Sequence, residues 1–299
     1  MNIFDTRNTA DGSKTFYSHE FSETFHTKYG AKAEAEITYV QGCHLAEKIK
    51  QQEQIKIIDI CYGLGYNTAA AIDCIFKINP QCQVEIIALE LDENVPRQAL
   101  EYNLLNHWQP EIIELLTQLF YFRQVDTPQL KLSLWIDDAR QSMIKLVQQN
   151  LQVDAIFLDP FSPPKCPQLW TVEFLSLLSQ CLNTDGIIAT YSCSAAIRAA
   201  FQLVGLKIGS NVGIGWRSPG TLAAFTDTYL SPLSEKELEH LKTRGAIPFR
   251  DPNLDNTAEM IKKRREEEQA LSNLEFTSQW KKRWFSKNNF RKSTDDNNL

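Results

Sequence analysis

Acidic residues recur in one setting along this chain, each at or just before the end of a short apolar run. IKIIDI carries Asp59, VEIIALE ends on Glu90, LKLSLWID ends on Asp137 with Asp138 beside it, and VDAIFLD ends on Asp159. A carboxylate so placed can hold a cationic or hydroxyl-bearing ligand, or take a proton from a reacting group. Asp159 stands out by its neighbours. FLDPFSPPK sets Pro160, Pro163 and Pro164 in the loop after it, and prolines narrow the loop's conformations, so the carboxylate stays aimed. Two glycines, Gly63 and Gly65, follow Asp59, where bare backbone lets a ligand approach just before a helix begins.

The elements that must position these acids follow from hydropathy. The runs above, with DGIIATYS after them, are continuous apolar stretches of strand length, which marks strands buried on both faces. Helical stretches alternate with them after the glycine turn and around residues 93–106, 139–150, 171–182 and 194–204. This predicts an α/β fold with a doubly wound, mostly parallel sheet, which binds ligands beyond the carboxyl ends of its strands. LKIGSN and TLAAFTD are expected to close the sheet as an antiparallel pair around the loop GIGWRSPG. Residues 15–29 read as short strands or a loop, and a helix is expected from Ala31, with Ile37, Val40, His44, Leu45 and Ile49 at helical spacing. The expected division is an N-terminal extension over 1–50, a core over 51–231, and a helical tail over 232–299.

Composition narrows the class. The chain has 299 residues, 43% hydrophobic and 10% aromatic, enough for a full core. Its seven cysteines include no CxxC pair and its five histidines no HxxxH or HExxH, which argues for reduced thiols and against a zinc site. With no apolar run of spanning length and no signal-like N-terminus, a cytoplasmic protein is expected, with no membrane partner. The net charge of −6 gives no support to nucleic-acid binding by itself. From Ala258 onward, however, ten Lys/Arg stand against seven Asp/Glu, so the tail carries +3 and the remainder −9. KKRR (262–265) and WKKRW (280–284) can be a solvated helix face paired with Glu266, Glu267 and Glu268, or phosphate contacts. The oligomeric state stays open, a monomer included.

The glycine turn discriminates between nucleotides. A dinucleotide fingerprint needs a third small residue where Thr68 stands, and Asp59 beside the turn suits a cation better than a diphosphate. S-adenosylmethionine fits, with its ammonium group near Asp59, its ribose diol at Glu90 and its adenine amino group at Asp138. Each acid also has a plainer reading as a surface group or cap, and Asp138 before ARQSMIKLV could simply cap a helix.

These motifs resemble a known family, that of the MnmC methyltransferase domain, in its single-function form without a fused flavin oxidoreductase. The similarity runs from about Tyr17 to Asp251. It rests on YGAKAEAEITYVQG, DICYGLGYN, LWIDDAR and, most specifically, FLDPFSPPKCPQLWT. The resemblance implies a class I, Rossmann-like methyltransferase fold, S-adenosylmethionine as cofactor, tRNA as partner and no metal. It places Asp59, Gly63, Gly65, Asn67 and Glu90 around the cofactor, Asp138 near its adenine, and Asp159 as the catalytic group. Phe161, Lys165, Trp170, Tyr17, Glu34 and Arg217 are assigned to the substrate side, with Phe161 a candidate to stack on the uracil ring and Lys165 to meet a phosphate. The implied reaction is N-methylation of the aminomethyl group of tRNA wobble 5-aminomethyl-2-thiouridine. The chain departs from the pattern at Cys61, where the family has a glycine, and at Cys166, where it has an asparagine. Transfer to a different amine, aminopropyl transfer, NAD-dependent oxidoreduction and a non-catalytic RNA-binding role are the alternatives.

Overall fold

The structure, a computed structural model, describes residues 4–214, 218–284 and 286. Three short strands, β1 (Asp5–Asn8), β2 (Lys14–Ser18) and β3 (Glu23–Thr24), form an antiparallel sheet at the N-terminus. Helix α1 (Ala31–Glu34) runs into a π-helical stretch, Ala35–Gln41, before α2 (Leu45–Lys48).

The main sheet begins with β4 (Gln54–Ile60), then α3 (Tyr66–Ile78) and β5 (Gln83–Glu90). Helix α4 (Asn94–Glu101) is followed by α5 (Pro110–Phe122), β6 (Gln124–Asp126) and β7 (Leu130–Ile136). Then come α6 (Ala139–Gln148), β8 (Val153–Leu158), α7 (Val172–Gln180), β9 (Leu182–Thr190) and α8 (Ala195–Leu203). Strands β10 (Lys207–Ser210) and β11 (Thr221–Ala224) pair antiparallel, as the sequence predicts. Two further helices, α9 (Glu235–His240) and α10 (Ala258–Leu271), follow.

The order across the sheet is β10-β11-β9-β8-β4-β5-β7-β6. Pairs β8–β9, β4–β8, β4–β5 and β5–β7 are parallel. The strand order reverses between β4 and β8, so the connections leave their carboxyl ends in opposite directions and open a crevice there. Asp59 lies within β4, Glu90 ends β5, and Asp159 immediately follows β8. Two buried clusters lie on the two sheet faces, one around Phe16, Tyr39, Tyr66 and Phe157 and the other around Trp170, Phe174 and Phe201.

Two elements go beyond the sequence expectation. Helix α5 extends the connection past residue 106, with Pro110 in its first turn and Ile112, Leu116, Leu119 and Phe120 buried at helical spacing. Beyond residue 232 the chain packs on the core: Ile261 of α10 belongs to the second cluster, and the buried Asp251 receives Arg140 Nη1 at 3.0 Å. Among the described residues no helix is long and apolar enough to cross a membrane, and no group of three His, Cys, Asp or Glu side chains is placed to hold a metal ion.

Candidate active site

The crevice at the switch point is a cavity of about 1160 Å³. That exceeds the roughly 300–1,000 Å³ usual for one small ligand, leaving room for a cofactor and part of an acceptor. One end is walled by the β4–α3 turn and Glu90. The other is walled by the loop after β8, the N-terminal strands and the start of α10.

At the first end the turn 61–65 alternates in handedness: Cys61, Gly63 and Gly65 have φ of 67°, 57° and 88°. These are left-handed values that suit glycine. A side chain at Gly65 would also meet the Tyr62 hydroxyl, 2.6 Å from a built Cβ. Cys61 therefore carries a backbone conformation for which the family's glycine is the natural residue. Gly63 N donates to Glu90 Oε2 at 2.8 Å, while Leu91 N and Asp92 N donate to Oε1 at 2.8 and 2.9 Å. Three of the carboxylate's roughly four acceptor positions are thus engaged. Burial still raises the proton affinity of Glu90, against the pull of those donors.

Asp59 differs from the sequence expectation. It is fully buried and does not line the cavity; Thr68 Oγ1 donates to its Oδ2 at 2.7 Å. Burial raises its pKa to about 7, with Thr68 and Asn67 pulling the other way. Direct contact with a cofactor ammonium is therefore corrected to bracing of the turn from behind. Thr68, read in the sequence only as a missing glycine, is the group that ties this acid to α3. Gly65 likewise shapes the turn without lining the cavity. Asp138 lines the cavity but caps α6, accepting from Arg140 N at 2.8 Å, and is ion-paired with Arg140 at 2.7 Å. The plainer reading of Asp138 as a cap is thus realised in addition to its place at the site.

At the other end Asp159 accepts from Asn67 Nδ2 at 3.0 Å. Burial, then the negative charge of Glu34, raise its pKa well above the usual carboxylate range. Glu34 is buried, accepts from Thr27 N at 2.7 Å and lines the same cavity. A carboxylate with raised proton affinity in a cavity can receive a proton from a bound amine. Tyr191 Oη donates to Pro160 O at 2.8 Å and holds the proline loop.

The aromatic expectations need revision. Phe161 lines the cavity, with Phe21 stacked on its ring at 4.2 Å and Phe25 meeting it edge-on at 4.9 Å, so one of its faces is already covered by a protein ring. Trp170 is fully buried; its Nε1 donates to Phe161 O at 2.8 Å. Its substrate contact is corrected to a packing role that fixes the Phe161 loop. Glu23 receives Ser162 N at 3.1 Å and the Ser162 hydroxyl, joining the N-terminal strands to that loop. Neither Phe21 nor Glu23 was singled out in the sequence, because residues 15–29 show no periodicity that points them at a loop 139 positions away. Tyr17 and Lys165 line the cavity, and Arg217 lies outside the described residues.

The residues present fit S-adenosylmethionine. Gly63 leaves open backbone on the wall, Glu90 keeps an acceptor position for a hydroxyl, and Asp138 lines the same cavity with a carboxylate that can accept from an amino group.

The profile of the S-adenosyl-L-methionine-dependent methyltransferase family matches residues 102–226. In the solved structures the chain is similar to MnmC2 from Aquifex aeolicus, with 32% identity, a TM-score of 0.79, and coverage of 89% of this chain and 85% of that one. It is also 26% identical over 266 residues to an uncharacterized protein of Methanocaldococcus jannaschii, covering 87% of this chain and 70% of that protein. A tRNA 5-methylaminomethyl-2-thiouridine biosynthesis bifunctional protein MnmC from Azoarcus sp. is 26% identical over 213 residues, or 67% of this chain. That match spans only 32% of the bifunctional protein's length. With these similarities joined to the switch-point cavity, the chain is an S-adenosylmethionine-dependent methyltransferase and belongs to the MnmC-like family of methyltransferase domains.

Proposed function

We propose that this methyltransferase acts on the aminomethyl nitrogen of tRNA wobble 5-aminomethyl-2-thiouridine, giving 5-methylaminomethyl-2-thiouridine, with Asp159 as the group that orients the amine and takes its proton. The observation that carries this reading is the buried Asp159 carboxylate in the cavity, with its raised proton affinity. A primary alkylamine is mostly protonated at neutral pH, and transfer to nitrogen needs its lone pair free and in line. S-adenosylmethionine supplies an electrophilic methyl group on a sulfonium centre. Asp159, with Glu34 on the same cavity, attracts the ammonium form, and Asp159 then holds the proton as the nitrogen turns toward the methyl. Asn67, bonded to Asp159, keeps the carboxylate oriented. Lys165 at the rim suits a phosphate of the acceptor strand.

The names of the MnmC relatives support the tRNA acceptor, and the carboxylate-lined amine site supports the reaction type. The test is nucleoside analysis of tRNA from a deletion strain, with methyl transfer to that tRNA by the purified protein. Loss of the methylaminomethyl nucleoside, accumulation of an unmethylated precursor and restoration by the protein are expected. An unchanged nucleoside profile, or a purified protein that leaves aminomethyl-uridine tRNA unmethylated, would redirect the search to other amines.

A further inference from the structure

The sequence offers the four cations of KKRR together as either a solvated helix face or phosphate contacts, and the structure divides them. Arg264 faces the protein: Nη1 donates to Arg250 O at 2.7 Å and Nη2 to Asn256 Oδ1 at 2.9 Å. Arg265 does the same, donating to Ile247 O at 2.6 Å and Gly245 O at 3.1 Å while its guanidinium lies over the Phe249 ring. These two hold α10 against the core. Lys263 is exposed and away from the cavity, whereas Lys262 reaches the cavity wall.

Two other lysines share that wall from different parts of the fold: Lys28, just after the N-terminal strands, and Lys165, in the proline loop. Lys28 and Lys165 are exposed and Lys262 is half-buried. None of the three makes an ion pair among the described residues, although Lys28 lies over its neighbour Tyr29 and Lys262 attracts the Glu259 carboxylate a turn before it. Arg140, the remaining cation on the wall, is paired with Asp138 and Asp251. The carboxylates Glu34, Glu90 and Asp159 are buried or half-buried in the same cavity. The interior is therefore acidic, while at the exposed level of the wall the three lysines stand beside two exposed acids, Glu20 and Glu259. A lone cationic metabolite has no use for such a rim, but a cationic base carried on a phosphate backbone matches both zones.

We infer that Lys28, Lys165 and Lys262 form a three-point phosphate grip at the cavity mouth, which holds the RNA backbone flanking the target nucleotide, and that Lys262 is the cation of KKRR that serves it. The inference rests on the proposed RNA acceptor. Each phosphate contact to a single strand contributes about 0.7 to the slope of log K against log salt. The test is tRNA binding by the full chain across a salt series, for wild type, Lys28→Gln/Lys165→Gln/Lys262→Gln, Lys262→Gln and Lys263→Gln. The triple variant should lose a slope of about 2, Lys262→Gln about 0.7 and Lys263→Gln close to none, with S-adenosylmethionine affinity unchanged throughout. An unaltered slope in the triple variant, or equal losses for Lys262→Gln and Lys263→Gln, overturns the grip while leaving the proposed reaction standing. A wild-type protein that methylates no tRNA overturns the proposed reaction first, and the grip with it.

Discussion

The two ends of the cavity are built on different principles. The glycine-turn end comes from one βαβ unit: Asp59, Thr68, Gly63 and Glu90 lie within 32 positions of one another and are tied mostly through backbone N–H groups. The Asp159 end is assembled from distant pieces, with Glu23 holding Ser162 across 139 positions and Asn67 holding Asp159 across 92. A local unit can be recognised from a short motif because its contacts and its spacing are the same information. A long-range assembly has no such signature, and its members look like ordinary acids and aromatics until the chain closes. The difference also predicts function: the first end should govern cofactor affinity and the second turnover and acceptor fit.

The sharpest break in that comparison is Asp159→Asn. The amide keeps the shape and one acceptor oxygen but takes up no proton, so turnover should fall by roughly 10²–10⁴ while cofactor affinity barely moves. Turnover and calorimetric affinity, measured on the same preparation, check it. A variant as active as wild type would leave the proline loop a purely structural feature. The wild-type rate should rise with pH as the amine loses its proton, and more steeply in the variant, which depends on substrate already deprotonated.

Glu90→Ala tests the opposite end. It removes the acceptor left for a ribose hydroxyl and releases Gly63 N, and hydrogen bonds to a charged group contribute about 1.5–3 kcal/mol each, so S-adenosylmethionine should bind at least tenfold more weakly. Unchanged affinity in a folded variant would take Glu90 out of the cofactor site. A smaller effect is expected from Glu23→Ala, which unties the N-terminal strands from the Ser162 loop. It should raise KM for the acceptor several-fold and leave cofactor affinity alone; a weakened cofactor affinity instead would mean that the two ends are not separable.

A pH experiment sharpens the role of Asp59. Its native pKa of about 7 lies above the ordinary 3.8, so the folded state holds the proton more tightly than the unfolded chain. That contribution is fully present below 3.8 and is lost as pH rises through about 7, at up to about 1.4 kcal/mol per pH unit. Asp59→Asn should flatten this part of the wild-type stability curve, read by denaturant titration at several pH values. An identical slope in both proteins would mean that Asp59 is ionised in the fold. The smallest effect is expected from Cys61→Gly, which relieves a left-handed non-glycine residue costing about 1–2 kcal/mol but adds unfolded-state entropy. Net stability should rise by no more than about 1 kcal/mol; a clear loss would show that the thiol's packing outweighs the strain.

The sequence by itself determined the sheet, its closing antiparallel pair, the glycine turn and the acids at the strand ends, because buried parallel strands are continuous apolar runs and the polar edge begins where those runs stop. It could also have yielded α5, whose Pro110 start and helical spacing of buried residues are plain once sought. Only the tertiary structure decided which acids face the cavity. Asp59 and Asp159 each stand at the carboxyl end of an apolar strand run, yet one is sealed behind the turn and the other opens on the cavity, since that depends on which side of the sheet edge the next segment covers. It decided likewise that Phe21 stacks on Phe161, that Trp170 is buried, and that two cations of KKRR face carbonyls while Lys262 faces the cavity. Periodicity records how a segment meets its immediate neighbours, whereas these assignments depend on contacts between segments far apart in the chain, which no local spacing encodes.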